Sequence, residues 1–169
     1  QWNGAHARLL IVRDVTAERA RDRQMGLLQR AANAIGEGIL VSDMRTEGEP
    51  VIYVNPAAER ISGYAARELL GRNCRILQGQ DRDQAGIREM RATVASGGSC
   101  TVEVRNYRRN GDPFWNRVTL SPVRDSDGAI SHYVGVLADI SAQKQLEAER
   151  RYLETHDALT DLPTYSTSS

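Results

Sequence analysis

Apolar positions change their period several times along this chain, and each change marks an element. From Val15 to about Ile35 the sequence is rich in Ala, Arg, Glu, Gln and Leu, which are helix formers. Leu27, Leu28, Ala31, Ala32 and Ile35 recur there at helical spacing, so an amphipathic helix is predicted, ended by Gly36 and Gly38. Its apolar face would cap a sheet or pair with a second protomer. Ile39–Asp43 and Pro50–Val54 then read as strands around a polar turn at 45–49. Asn55-Pro56 opens a helix, with the asparagine as cap and the proline at the first helical position. Ala65–Leu70 is a second short helix. Asp83 to about Ser96 is a third, with Ile87, Met90 and Val94 on one face.

Beyond Gly97-Gly98 the period falls to two. Residues 99–108 and 114–124 alternate apolar and polar around Asn110-Gly111-Asp112-Pro113, a strong hairpin signal. A turn at 125–128 precedes a last core strand, Ile130–Ala138. Ala7–Val12 reads as a further strand near the N-terminus. The core order is two strands, several short helices, then three strands. That predicts an α+β fold: a five-stranded antiparallel sheet with short helices on one face, flanked by linker helices.

Composition narrows the possible roles. The 169 residues suffice for one domain with appendages. Lys and Arg together number 22, as do Asp and Glu, so no electrostatic footprint for nucleic acid or a polybasic membrane contact is present. No stretch reaches the apolar length of a membrane span, and no signal peptide is visible. The two cysteines, Cys74 and Cys100, form no secretory disulfide framework, so a cytoplasmic protein with free thiols is expected.

The candidate chemistry is concentrated in Gly71-Arg72-Asn73-Cys74-Arg75-Ile76-Leu77-Gln78-Gly79. If 74–78 form a helical turn and a half, Cys74 and Gln78 share a face while Arg75 points elsewhere. One short helix then offers a nucleophile, an amide and a cation to one ligand. An isolated cysteine would more simply be a buried one. An enzyme using Cys74 as nucleophile would need a nearby base, but His6, His132 and His156 lie far off in sequence. The same absence of histidine between 7 and 131 argues against haem.

The nonapeptide resembles the flavin-attachment signature of LOV domains, the blue-light branch of the PAS family, with Ile76 where Phe is usual. Val54-Asn55-Pro56-Ala57 followed by Gly63-Tyr64 is similarly widespread in PAS domains. The resemblance implies a noncovalently bound FMN, with FAD or riboflavin as alternatives, and a light-driven, reversible bond from Cys74 to the flavin ring. It implies phosphate contacts from Arg75 and Arg91, with Arg88 a less regular third, and ribityl contact from Gln78. Asn73 belongs to the same binding set. Asn106 and Asn116 match the amides that read the pyrimidine edge. Ser42, Leu77, Val94, Val118, Leu120 and Gly135 match the ring pocket. Leu137 departs from the family, which normally has Gln there. A leucine can neither donate to nor accept from the ring, so the photoreaction should survive while the usual relay should not. Losing that hydrogen bond should shift the absorption slightly to the blue. Two origins for Leu137 stay open: a naturally glutamine-free sensor, or a Gln-to-Leu substitution made to test the relay.

The ends carry further resemblances. Residues 1–16 resemble the last strand of a PAS domain and its Asp-x-Thr, repeated as Val134–Ser141, so they are read as the tail of a preceding PAS-like domain. Residues 17–36 form the N-terminal linker helix, 37–140 the core and 141–156 a C-terminal linker helix. In the latter Leu146 and Leu153 stand seven apart, a minimal seam for a parallel homodimer. His156–Pro163 resembles the opening of GGDEF-type diguanylate cyclase domains, so 157–169 is read as a truncated start of one plus an unrelated tail. The fragment would then be a sensor rather than an enzyme, its output domain belonging to a longer parent. The alternative is a chromophore-free PAS module for dimerisation or ligand sensing.

Overall fold

A computed structural model describes residues 3–161, with side chains described for 16–156. The order is α1 (Asn3–Ile35), β1 (Gly38–Asp43), β2 (Val51–Val54), α2 (Pro56–Ser62), α3 (Ala66–Leu69), a 3₁₀ turn (Cys74–Gln78), α4 (Ala85–Ser96), β3 (Cys100–Tyr107), β4 (Pro113–Arg124), β5 (Ile130–Asp139) and α5 (Ser141–Asp161). The strands form one sheet in the order β2-β1-β5-β4-β3, each neighbouring pair antiparallel. The α+β expectation holds. The chain enters the sheet at β1, beside one edge, runs to that edge at β2, passes through the helices and returns from the other edge through the β3–β4 hairpin to β5 in the middle.

Alternation decides which side chains face the helices. Along β5, Ser131, Tyr133, Gly135 and Leu137 point inward and are buried, while their neighbours are less so. Leu40, Val118 and Leu137 from three strands join Leu69, Leu77 and Ile87 from the helical side in one apolar core. Two glycines permit close layering. A Cβ on Gly38 would lie 2.8 Å from the Ala58 Cα, so α2 sits directly on β1. A Cβ on Gly86 would lie 2.6 Å from Val104 Cγ1 and 2.9 Å from the Glu103 carbonyl, so α4 rests on β3.

Asn55 caps α2 as expected and does more. Its Oδ1 accepts from Ala58 N at 2.9 Å and Ile39 N at 2.8 Å. Its Nδ2 donates to the Glu37 carbonyl at 3.0 Å and Asn33 Oδ1 at 3.2 Å. One side chain therefore ties the end of α1, the start of β1 and the start of α2.

Both flanks differ from the sequence reading. The strand expected at Ala7–Val12 is helical, part of an α1 that runs unbroken from Asn3. Those residues have no strand to pair with, and a helix satisfies its backbone locally. The apolar face of α1 does not cap the sheet either. Leu27, Leu28 and Ile35 are 61%, 60% and 70% exposed, because α1 leaves the core at Gly36. On α5, Leu146 and Leu153 are likewise exposed, and the helix continues past 156 to Asp161. The end of the GGDEF-like stretch, Leu162-Pro163, and the tail 164–169 lie outside the described residues.

Candidate functional site

Between the sheet and the helices lies a cavity of about 360 Å³, within the range of small-molecule sites. Its floor is the inward face of the sheet. Cross-strand register sets Leu40, Gly135 and Leu120 in one row, and Leu137 beside Val118 in the next. Ser42 and Tyr133 extend the floor toward one end, and Asn106 closes the other. The opposite wall is the 3₁₀ turn together with the Ile87, Met90 and Val94 face of α4. Gly135 matters by what it leaves out. Its missing Cβ would meet no protein atom nearer than 3.6 Å, so that volume belongs to the cavity.

Asn73 starts the 3₁₀ turn. Its Oδ1 accepts from Arg75 N at 2.9 Å and its Nδ2 donates to the Gly48 carbonyl at 2.8 Å. Asn73 thus reaches the cavity wall, but its polar groups hold the turn in place. The turn is tighter than the helix expected from sequence. At three residues per turn, Cys74 and Gln78 are no longer eclipsed, yet both line the cavity. Ile76, the position that departs from the family signature, packs against the core.

Cys74 is exposed only in the sense that its surface opens toward the cavity. Protein surrounds it, and this desolvation pushes the thiol pKa up. Arg75 opposes the shift, Glu49 reinforces it, and the Ser42 hydroxyl opposes it weakly. The sulfur is therefore held as a neutral S–H at neutral pH, facing an apolar chamber.

Among the described residues, two buried side-chain polar atoms have no hydrogen-bond partner: Gln78 Oε1 and Asn116 Oδ1. Asn116 is fully buried and spends its Nδ2 on Asn106 Oδ1 at 2.8 Å. Turning either amide over leaves an unpaired group of the other kind. Such groups cost about 1–3 kcal/mol each when nothing meets them. Gln78 lines the apolar chamber, and Asn116 lies one hydrogen bond behind Asn106, which lines it too; this suits a ligand carrying amide edges.

The cations divide. Arg91 lines the cavity and makes no ion pair among the described residues. Arg75 lines it and pairs with Glu49 Oε2 at 3.2 Å. Arg88, expected as a third phosphate contact, is not at the cavity; it faces solvent and pairs with Asp83. It directly follows the wall residue Ile87, about 100° further around α4, and its ion pair with Asp83 holds it toward solvent. Asn116 also differs from expectation, lying beneath Asn106 rather than on the cavity surface. The other residues singled out from sequence, Ser42, Leu77, Val94, Val118, Leu120, Gly135 and Leu137 among them, all line the cavity. Sequence reasoning missed Leu40, Met44, Glu49, Ala95 and Tyr133 as lining residues, and it named Ile87 and Met90 only as a helix face. Leu40 and Tyr133 each stand two positions from a residue that was found, so strand alternation was the available signal. Glu49 sits in a turn, where no periodicity points anywhere. Cys100 is half-buried on the edge strand and takes no part.

Comparison with known proteins places these features. Residues 36–142 match the model of a PAS domain family. Over 117 residues the chain is 41% identical to blue-light-activated histidine kinase 1 of Erythrobacter litoralis, covering 69% of this chain and 32% of that protein. It is similar to an RNA-binding light-oxygen-voltage receptor of known structure, with 40% identity and a TM-score of 0.66, over 79% of this chain and 38% of that one. It is also similar to a light-oxygen-voltage domain solved in work with a flavin analogue, with 32% identity and a TM-score of 0.63. That match covers 73% of this chain and 93% of the other. The chain spans about a fifth to a third of the length of the curated relatives it matches.

Proposed function

The chain belongs to the LOV branch of the PAS family, and we propose that it is a blue-light sensor that binds FMN and reacts reversibly with it through Cys74. The observation that carries this reading is a chamber lined by Gln78, whose buried oxygen has no partner, and onto which a protonated thiol opens. When bound, the flavin supplies the blue absorption and the ring carbon to which Cys74 bonds under light.

The chain's own residues have distinct tasks. Asn106 and Gln78 orient the ligand's polar edges, Asn116 holds Asn106 from behind, and Leu40, Val118, Leu120 and Leu137 exclude water around the ring. Arg91 and Arg75 hold the phosphate at the rim, where guanidinium forks suit its geometry. Burial keeps the Cys74 proton on sulfur in the dark, available for transfer when the bond forms. Leu137 offers the ring no hydrogen bond, so any change at the ring reaches the sheet through Asn116, Asn106 or shifts of the backbone.

The exposed apolar residues of α1 and α5 support a parallel homodimer built on these two helices. Light would then bias the population of helix arrangements and so the geometry of paired output domains. The opening of a GGDEF-like segment at His156 supports a cytoplasmic diguanylate cyclase parent, with residues 1–16 joining a preceding PAS-like domain. No helix among the described residues is long and apolar enough to cross a membrane.

An absorption spectrum before and after blue light tests the reading. A flavin band should bleach and recover in the dark, and Cys74→Ala should abolish the bleach while keeping the dark band. Colourless protein that binds no added flavin would leave a PAS interaction module instead.

A further inference from the structure

The cavity's cationic rim contains an acid. Glu49 lines the cavity beside Arg75 and Asn73. Its Oε2 accepts from Arg75 Nη2 at 3.2 Å and lies 3.4 Å from Asn73 Nδ2. Among the described residues it is the one non-glycine with a left-handed backbone, φ 52°. The flanking turn sets that conformation: Glu49 N donates to the Thr46 carbonyl at 3.0 Å, and the Gly48 carbonyl accepts from Asn73. The backbone therefore aims this side chain at the cavity mouth despite a local cost.

Its charge matters there. Of the two arginines on the cavity wall, Arg91 makes no ion pair and Arg75 is already paired with Glu49. A phosphate arriving at this rim must share or displace Glu49 from Arg75 and stand near a carboxylate of its own sign. A flavin without phosphate would leave the Arg75–Glu49 pair intact. The pair itself is half-exposed, with side chains 55% and 37% accessible, so holding Arg75 in place contributes little. Repulsion between like charges at one rim is then the larger effect.

We propose that Glu49 sets how strongly the cavity distinguishes phosphorylated from unphosphorylated flavin, by placing a carboxylate that opposes a phosphate at the rim. This rests on the flavin-binding reading above. Glu49 is a specificity residue: it weakens retention of FMN relative to riboflavin, and the site accepts both more evenly than two unopposed arginines would allow.

The test titrates flavin-stripped protein with FMN and with riboflavin, following quenching of flavin fluorescence, for the wild type, Glu49→Gln and Glu49→Gly. The second variant suits the left-handed backbone and removes the carboxylate without strain. Both variants should bind FMN about three- to fivefold more tightly, the scale of an exposed charge contact. Riboflavin affinity should be unchanged. Equal movement of both affinities in both variants would make Glu49 a structural residue of the turn and overturn the proposal. So would an unaltered FMN-to-riboflavin ratio. Wild-type protein that binds neither flavin would defeat the flavin reading itself, and this proposal with it, in an arm that involves no substitution.

Discussion

Two asparagines in this molecule are almost equally buried and are treated in opposite ways. Asn55 is 1% exposed, and its side chain makes four hydrogen bonds across three elements. Asn116 is 0% exposed and makes one, leaving its oxygen unmet. Burying an amide is tolerable only when its groups are satisfied. At Asn55 the fold supplies every partner, so the residue is structural. At Asn116 the fold leaves the oxygen unmet behind Asn106, the amide that does line the cavity. Burial alone would rank the two together; only the accounting of donors and acceptors separates a satisfied staple from an amide left incomplete.

Substitution can break this contrast. Asn55→Ala would take the side-chain acceptor from the Ile39 amide, leave Ala58 N only the Asn55 backbone carbonyl and uncap α2, so it should destabilise the domain by about 2–4 kcal/mol in urea unfolding. It should do so whether or not flavin is bound. Asn116→Ala should cost the flavin-free protein much less, since one orphan is removed as another, Asn106 Oδ1, is created. Its main effect should be weaker flavin binding, by about 1–3 kcal/mol, read by titration. If Asn116→Ala destabilised the flavin-free protein as much as Asn55→Ala, the distinction would fail.

A smaller effect sits where β5 hands over to α5. Asp139 is held below the usual carboxylate range: burial alone would raise it, but Arg108 and the Ser141 hydroxyl and amide outweigh that. Arg108 reaches it at 2.6 Å and also bonds the Ile61 carbonyl, stacking over Phe114 at 4.5 Å. Because the folded pKa is depressed, the stabilisation is present above the unfolded carboxylate pKa. It is lost as pH falls through the lower, folded value. Asp139→Asn should flatten the acid side of the stability profile and loosen the first turn of α5, seen as faster amide exchange there.

The smallest effect concerns Leu137. It is buried between β1 and β4 with no polar group to offer. Leu137→Gln should move the flavin band slightly to longer wavelength and leave Cys74 reactivity in place. An unmoved band would mean that the glutamine does not reach the ring.

Much of the core was legible because periodicity and turn chemistry are local. The Asn55-Pro56 cap, the hairpin around Gly111 and the inward alternation of β5 follow from residues a few positions apart. The flanks were less legible. Ala7–Val12 has strand-like composition, and whether it becomes a strand depends on a partner strand that composition cannot see. Arg88 looked as eligible as Arg91, since spacing from the cysteine says nothing about which side of α4 meets the cavity.

The sequence by itself determined the antiparallel α+β architecture, the position of the thiol that lines the cavity and part of the chamber's apolar walls. Those depend on period, capping and one dense motif. Tertiary structure alone decided that Arg75 shares the rim with Glu49, that Arg88 turns outward, and that Asn116 keeps an unmet oxygen while Asn55 keeps none. Each of these is a matter of which groups distant in sequence come within hydrogen-bond reach, and that depends on how the layers pack.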